Sequence, residues 1–226
     1  MTQEDEILVT GLGDAIGMAG AAVAKSEQGS TVSVSTYLHN KPSVDSFFIH
    51  HPKITLKYIP YLPPEEAHQH LQSFIGNLND QEAETPELAK YDFYLRTYIR
   101  MGVDFRHRWD SCPLDKAADS VEQVYVPFED YTFIHECPSR GFIINRDILP
   151  EGPIVFPQPL PDRSILAFKQ LARNCRRAYV IDSCFFHFLE SLELDPSIEL
   201  YLVRHARSYC PGIHDYATRH KWTEIW

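Results

Sequence analysis

The chain has 226 residues, enough for one large domain or two small ones, each with a real core. A hydrophobic content of 44% with 12% aromatics excludes disorder, and a formal net charge of −10 argues against nucleic-acid or anionic-membrane binding, which rest on basic surface. No apolar run nears the roughly 20 residues of a membrane span, and the acidic start Met1-Thr2-Gln3-Glu4-Asp5-Glu6 is unlike a signal peptide, so a cytoplasmic protein is expected.

The first element is the apolar run Ile7-Leu8-Val9, which breaks into Gly11-Leu12-Gly13-Asp14 and then a small-residue segment from Ala15 to Ala24. An apolar strand, a glycine turn and a helix open a nucleotide-binding type of α/β unit, because glycine permits a tight turn and close approach to a ligand. Gly17 and Gly20 extend the small face, so the helix is expected to lie close against the sheet. Asp14 stands where a dinucleotide fingerprint has an uncharged residue. A carboxylate there either caps the helix or is presented over the carboxyl edge of the sheet, where open α/β sheets place their ligands.

Residues 31–36 alternate and are β-branched, which predicts a second strand; a short helical turn over 43–50 and a third strand over 54–59 follow, closed by Pro60, Pro63 and Pro64. Helices are expected over 65–78 and 87–101, the second with a core stripe of Leu88, Tyr91, Leu95, Tyr98 and Ile99. Residues 111–120 form the crossing between two halves. The second half repeats the scheme, with strands at 121–126, 131–136, 143–144, 153–156, 178–181 and 200–203 and helices at 164–173 and 184–192. The basic run Arg163, Lys169, Arg173, Arg176 and Arg177 is taken as a solvated face. The fold class is therefore α/β, with two Rossmann-like, mainly parallel halves at 1–115 and 116–226.

Three strand-end loops of the second half carry reactive groups: His135 with Arg140, then Asp182-Ser183, then Arg204-His205-Ala206-Arg207. Loops after parallel strands share one edge, so His135, Arg140, Ser183, His205 and Arg207 can converge on one crevice. Arginine forks and a serine opening a helix suit a phosphate group. Taken singly, Arg204 and Arg207 read as solvated or ion-paired, Ser183 as a cap and His135 as a structural hydrogen-bonder. Cys112, Cys137, Cys175, Cys184 and Cys210 show no Cys-x-x-Cys pairing and read as reduced thiols. His50-His51 and His68-x-His70 lack a third ligand, and no Asp-x-Asp occurs, so no metal site is expected.

In this order of pieces the chain resembles small bacterial and viral glycosyltransferase-like proteins of the GT-B architecture, distantly similar to lipopolysaccharide heptosyltransferases. The resemblance rests on Gly11-Leu12-Gly13-Asp14, Phe93-Tyr94, Arg108-Trp109-Asp110, residues 131–136 with Arg140-Gly141-Phe142, Ile181-Asp182-Ser183, Arg204-His205-Ala206-Arg207 and Lys221-Trp222. It implies two facing Rossmann-like domains and metal-independent transfer of a sugar from a nucleotide-diphosphate donor to a glycan or other hydroxyl acceptor. The acceptor would lie on the first half and the donor on the second. Asp14 would be the general base and His135 a second catalytic residue, with Gly11, Gly13, Arg140, Asp182, Ser183, His205 and Arg207 around the donor phosphates. The nucleotide sugar is a co-substrate, no other cofactor is implied, and the oligomeric state stays open. A non-catalytic module that binds a nucleotide or nucleotide sugar is the alternative. A dinucleotide-dependent oxidoreductase would need a third fingerprint glycine in register and an acidic residue ending strand 31–36, and the chain has neither.

Overall fold

The computed structural model describes residues 4–9, 11–60, 93–126, 128–157, 162–204 and 218–226. Two parallel sheets carry the fold. In the first, β1 (Glu4–Val9), β2 (Thr31–Tyr37) and β3 (Ile54–Ile59) pair in chain order, with Ile7 opposite Val34 and Val34 opposite Leu56. The second contains β4 (Thr132–His135), β5 (Ile154–Val155), β6 (Arg177–Val180), β7 (Glu199–Val203) and β8 (Trp222–Ile225), in the order β5-β4-β6-β7-β8 with every pairing parallel. The mixed α/β class with mainly parallel sheets is as expected.

Helix α1 (Leu12–Glu27) starts at Gly11, whose extended backbone precedes the first turn. The Asp14 side chain reaches back to accept from Gly11 N–H at 2.9 Å, so the carboxylate satisfies a donor that the helix itself cannot. The helix ends at Gln28, and Gly29 leaves it with φ of +99°; a short α2 (Lys41–Phe47) follows β2. Its glycine face does not meet the sheet. A Cβ on Gly13 would stand 2.9 Å from His187 Cδ2, one on Gly17 would run into the Tyr94 ring, and one on Gly20 would collide with the carbonyl oxygen of His107. The small residues thus admit three other segments: α3 (Phe93–Arg100), α4 (His107–Asp110) and α7 (Cys184–Ser191).

One hydrophobic cluster runs from Ile7 and Val34 through α1 to Phe133, Phe185, Phe188 and Leu202. Ile134, Tyr179, Ile181 and Val203 form a second cluster with Ile144, so Phe133 and Ile134 serve opposite faces of their strand. On α7, Phe185, Phe186, Phe188 and Leu189 are all buried, each contributing roughly 1.5–3 kcal/mol.

Several expected elements differ. Residues 121–126 form no strand: Val124 N–H donates to Ala167 O at 2.8 Å, and the Gln123 amide donates to the carbonyls of Ala118, Val121 and Leu166. At 143–144 there is likewise no strand, only an isolated antiparallel bridge between Cys137 and Phe142. The helix expected over 164–173 divides into a 3-10 turn, Ile165–Phe168, and α6 (Lys169–Asn174). Lys169 is not solvated but buried, with Nζ 2.6 Å from Asp119 Oδ1 and 3.0 Å from Asp115 Oδ1; Arg173 meets Asp115 at 2.8 Å. These ion pairs tie α5 (Leu114–Ala117) to α6. Ile99 is exposed, so the stripe on α3 runs instead through buried Tyr94 and Tyr98. The expected helix over 65–78 lies outside the described residues, as do Leu88 and Tyr91.

Candidate functional site

The second sheet reverses its winding between β4 and β6: the chain leaves β4 toward β5 on one side and returns past it to β6 on the other. Connections that depart in opposite directions open a crevice at the carboxyl ends of those two strands. His135 is the last residue of β4, while Asp182 and Ser183 follow β6 and lead into α7. The Ser183 Oγ and His135 Nδ1 share a hydrogen bond of 2.9 Å. Two residues expected to converge therefore do so, and Ser183, at the N-cap of α7, makes no side-chain capping bond.

The His135 ring lies 4.4 Å from that of Phe185, and desolvation lowers its pKa to about 4 against a weaker opposing pull from Glu136. It is a neutral imidazole at ordinary pH. The Glu136 carboxylate is engaged elsewhere, accepting from Arg146 at 2.7 and 2.8 Å and from Ile144 N–H at 3.0 Å; the Arg146 guanidinium holds it below the usual carboxylate range. Among the described residues no carboxylate bonds to the other nitrogen of His135. Among these residues the pair has no third group of a nucleophilic triad, and what it offers is hydrogen bonding. Asp182 is buried at the end of β6.

The turn that carries Asp14 runs from the first sheet to the start of α7. A Cβ on Gly13 would lie 3.5 Å from Cys184 Cα and 3.6 Å from its backbone nitrogen, so the turns that open α1 and α7 abut. Asp14 Oδ1 accepts from the Tyr94 hydroxyl at 3.0 Å. The Tyr94 oxygen lies 3.2 Å from His187 Nε2, and Arg108 Nη2 lies 2.9 Å from His187 Nδ1. The Arg108 guanidinium also stacks 4.9 Å from the centre of the Tyr94 ring. Burial first, and the neighbouring Asp14 charge second, raise the Tyr94 pKa well above the usual phenol value. Sequence reasoning missed His187; its signal is a lone imidazole in the otherwise apolar run Phe185-Phe186-His187-Phe188-Leu189.

Arg140 is exposed on the 3-10 turn Pro138–Arg140, which ends at Gly141 with φ of +75°. Its charge works against the burial that pushes the Cys184 thiol up to about 11 and leaves it a poor nucleophile. Of the two readings for Arg204, ion-paired is the one observed: it is buried 3.5 Å from Glu224, its guanidinium 5.5 Å from the Trp226 ring centre, and its backbone N–H donates to Ile225 O at 2.7 Å. It secures β8, which the sequence did not suggest. His205 and Arg207 lie outside the described residues.

A cavity of about 580 Å³ at the other end of α7 is lined by Trp109, Lys116, Arg173, Ser191 and Arg219 among others. Its charges are largely consumed by the pairs Lys169 with Asp119, Arg173 with Asp115, and Arg219 with Glu193.

No family model matches this chain, and no curated protein or solved structure is significantly similar to it. Among the described residues no helix is long and apolar enough to cross a membrane.

Proposed function

We propose that this chain is a metal-independent glycosyltransferase of GT-B form, moving a sugar from a nucleotide-diphosphate donor to a hydroxyl acceptor. Residues 116–226 would hold the donor and residues 1–115 the acceptor. The observation that supports the proposal is that the turn carrying Asp14 packs against the start of α7, where Ser183 bonds to His135. Asp14 takes the proton of the acceptor hydroxyl as its oxygen bonds to the anomeric carbon, and the bond from that carbon to the donor phosphate breaks with its electron pair leaving on the nucleoside diphosphate. The Ser183 hydroxyl, the α7 N-terminus and Arg140, with His205 and Arg207, which follow β7 in sequence, stabilise the departing charge.

Transfer measured over a panel of nucleotide sugars and hydroxyl acceptors tests this. Asp14→Asn retains the shape and much of the capping but cannot take the proton, so turnover should fall by roughly 10²–10⁴ with donor affinity nearly unchanged. An Asn variant as active as the parent removes Asp14 from the mechanism.

One observation favours a non-catalytic nucleotide-binding module: the Asp14 carboxylate is already committed to Gly11 N–H and the Tyr94 hydroxyl. Calorimetric binding of nucleoside diphosphate without transfer or donor hydrolysis would select that function.

A further inference from the structure

We propose that Tyr94, His187 and Arg108 are positioning residues for Asp14, forming a one-way hydrogen-bond chain in which the Tyr94 hydroxyl donates to the carboxylate. The proposal rests on Asp14 acting as the base of the transfer described above.

The direction follows from the inventory of donors. A guanidinium carries donors and no acceptor, so His187 Nδ1, 2.9 Å from Arg108 Nη2, must present its lone pair. A neutral imidazole that accepts at Nδ1 carries its proton on Nε2, and Nε2 faces the Tyr94 oxygen at 3.2 Å. Tyr94 therefore accepts from His187, and its single proton goes to Asp14 Oδ1 at 3.0 Å. The opposite direction would point an Nδ1–H at the guanidinium. With Gly11 N–H on Oδ2, each carboxylate oxygen of Asp14 has a fixed donor.

Charge balance points the same way. Arg108 is buried, and among the described residues it makes no ion pair; its charge lies against the rings of Tyr94, Phe105 and Trp109 at 4.9, 5.6 and 6.0 Å. A buried cation without a counter-ion is costly, and the aligned dipoles of His187 and Tyr94 connect it to the Asp14 anion. His187 also follows Ser183 by one helical turn on α7. The group proposed to meet the donor phosphate and the ring that orients the base's partner therefore move as one body.

Nitrogen NMR of histidine-labelled protein near neutral pH should show His187 as the Nε2–H tautomer. A His187 found as the Nδ1–H tautomer or as imidazolium overturns the proposal, whether or not the protein transfers sugar. In the transfer assay Tyr94→Phe should lower kcat by about 10–100-fold, the worth of one hydrogen bond to a charged group, with donor KM unchanged. His187→Gln places an amide N–H where Nε2–H stood and should recover most turnover, whereas His187→Leu should not. Parent-like kcat in Tyr94→Phe, or equal loss in the Gln and Leu variants, overturns the positioning role. A parent that transfers no sugar defeats the glycosyltransferase proposal instead, and the tautomer measurement still decides the direction of the chain.

Discussion

Gly20→Ala isolates what the small face of α1 is for. A Cβ there would collide with the His107 carbonyl oxygen and stand 2.8 Å from its carbonyl carbon and 3.0 Å from Arg108 Cα. All three atoms are backbone, so no rotamer change relieves them; α4 must retreat until carbon contacts open to roughly 3.5 Å. Overpacking of this kind costs about 1–3 kcal/mol, and a rigid backbone neighbour places the site at the upper end. Alanine's better helix propensity returns about 1 kcal/mol, leaving a net loss of about 2 kcal/mol and a Tm lower by roughly 4–8 °C. Because α4 carries Arg108, the substitution should also lengthen the Arg108 to His187 bond and weaken the tautomer preference of His187. Urea unfolding of the parent and Gly20→Ala, compared at equal m-value, measures the first effect. A variant as stable as the parent would show that α4 does not rest on Gly20, and the account of the glycine face would fall with it.

Lowering the pH through the range in which His135 protonates in the unfolded chain should destabilise the protein. The folded pKa, about 4, lies below the ordinary 6.5, so the stability is complete above 6.5 and is lost as pH falls toward 4, by about 3 kcal/mol in total. Unfolding midpoints from about pH 7 to about pH 4.5 should flatten in His135→Asn, and parallel curves for the two proteins would refute the assignment. Glu190, which is buried, accepts from Arg219 N–H at 2.8 Å, from His220 N–H at 3.3 Å and from Trp222 Nε1 at 2.6 Å. Glu190→Ala should cost about 3 kcal/mol and expose the amides of residues 222–225 to rapid hydrogen exchange; protection unchanged from the parent would dismiss the clamp. Arg140→Ala should weaken nucleoside diphosphate binding about tenfold in calorimetry, whereas an unchanged Kd would return Arg140 to the surface.

What the sequence made legible was short-range. The β-branched alternation of residues 31–36 and the runs at 54–59 and 200–203 became strands because buried parallel strands need only their own side chains to be recognisable. The pattern at 121–126 is just as regular. Its fate is set by the Gln123 side chain and the Ala167 carbonyl, which no period encodes. Strand β8 was missed for the converse reason: Trp222-Thr223-Glu224-Ile225 is nondescript alone and is held by Arg204 and Glu190. At the candidate site, strand ends located His135 and Ser183, because loop position is a topological property. Their bond, and the partners of Asp14, required side chains from segments distant in sequence. The glycine face was visible as a face, but its neighbours were not.

Helix α7 explains why those distant partners are assembled on one element. Its apolar residues fix it in the core, while Ser183, His187 and Glu190 recur at spacings of four and three, the repeat of one helical stripe. Polar groups in such a stripe would be a liability if unpaired, so each position constrains a different neighbour: Ser183 the end of β4, His187 the Tyr94 and Arg108 side chains, Glu190 the segment leading into β8. Apolar replacement at any one would improve the hydrophobic pattern of α7 and remove a specific tie. The stripe that reads as an interruption of a core helix is thus the feature through which α7 ties together the end of β4, the side chains around Asp14 and the start of β8.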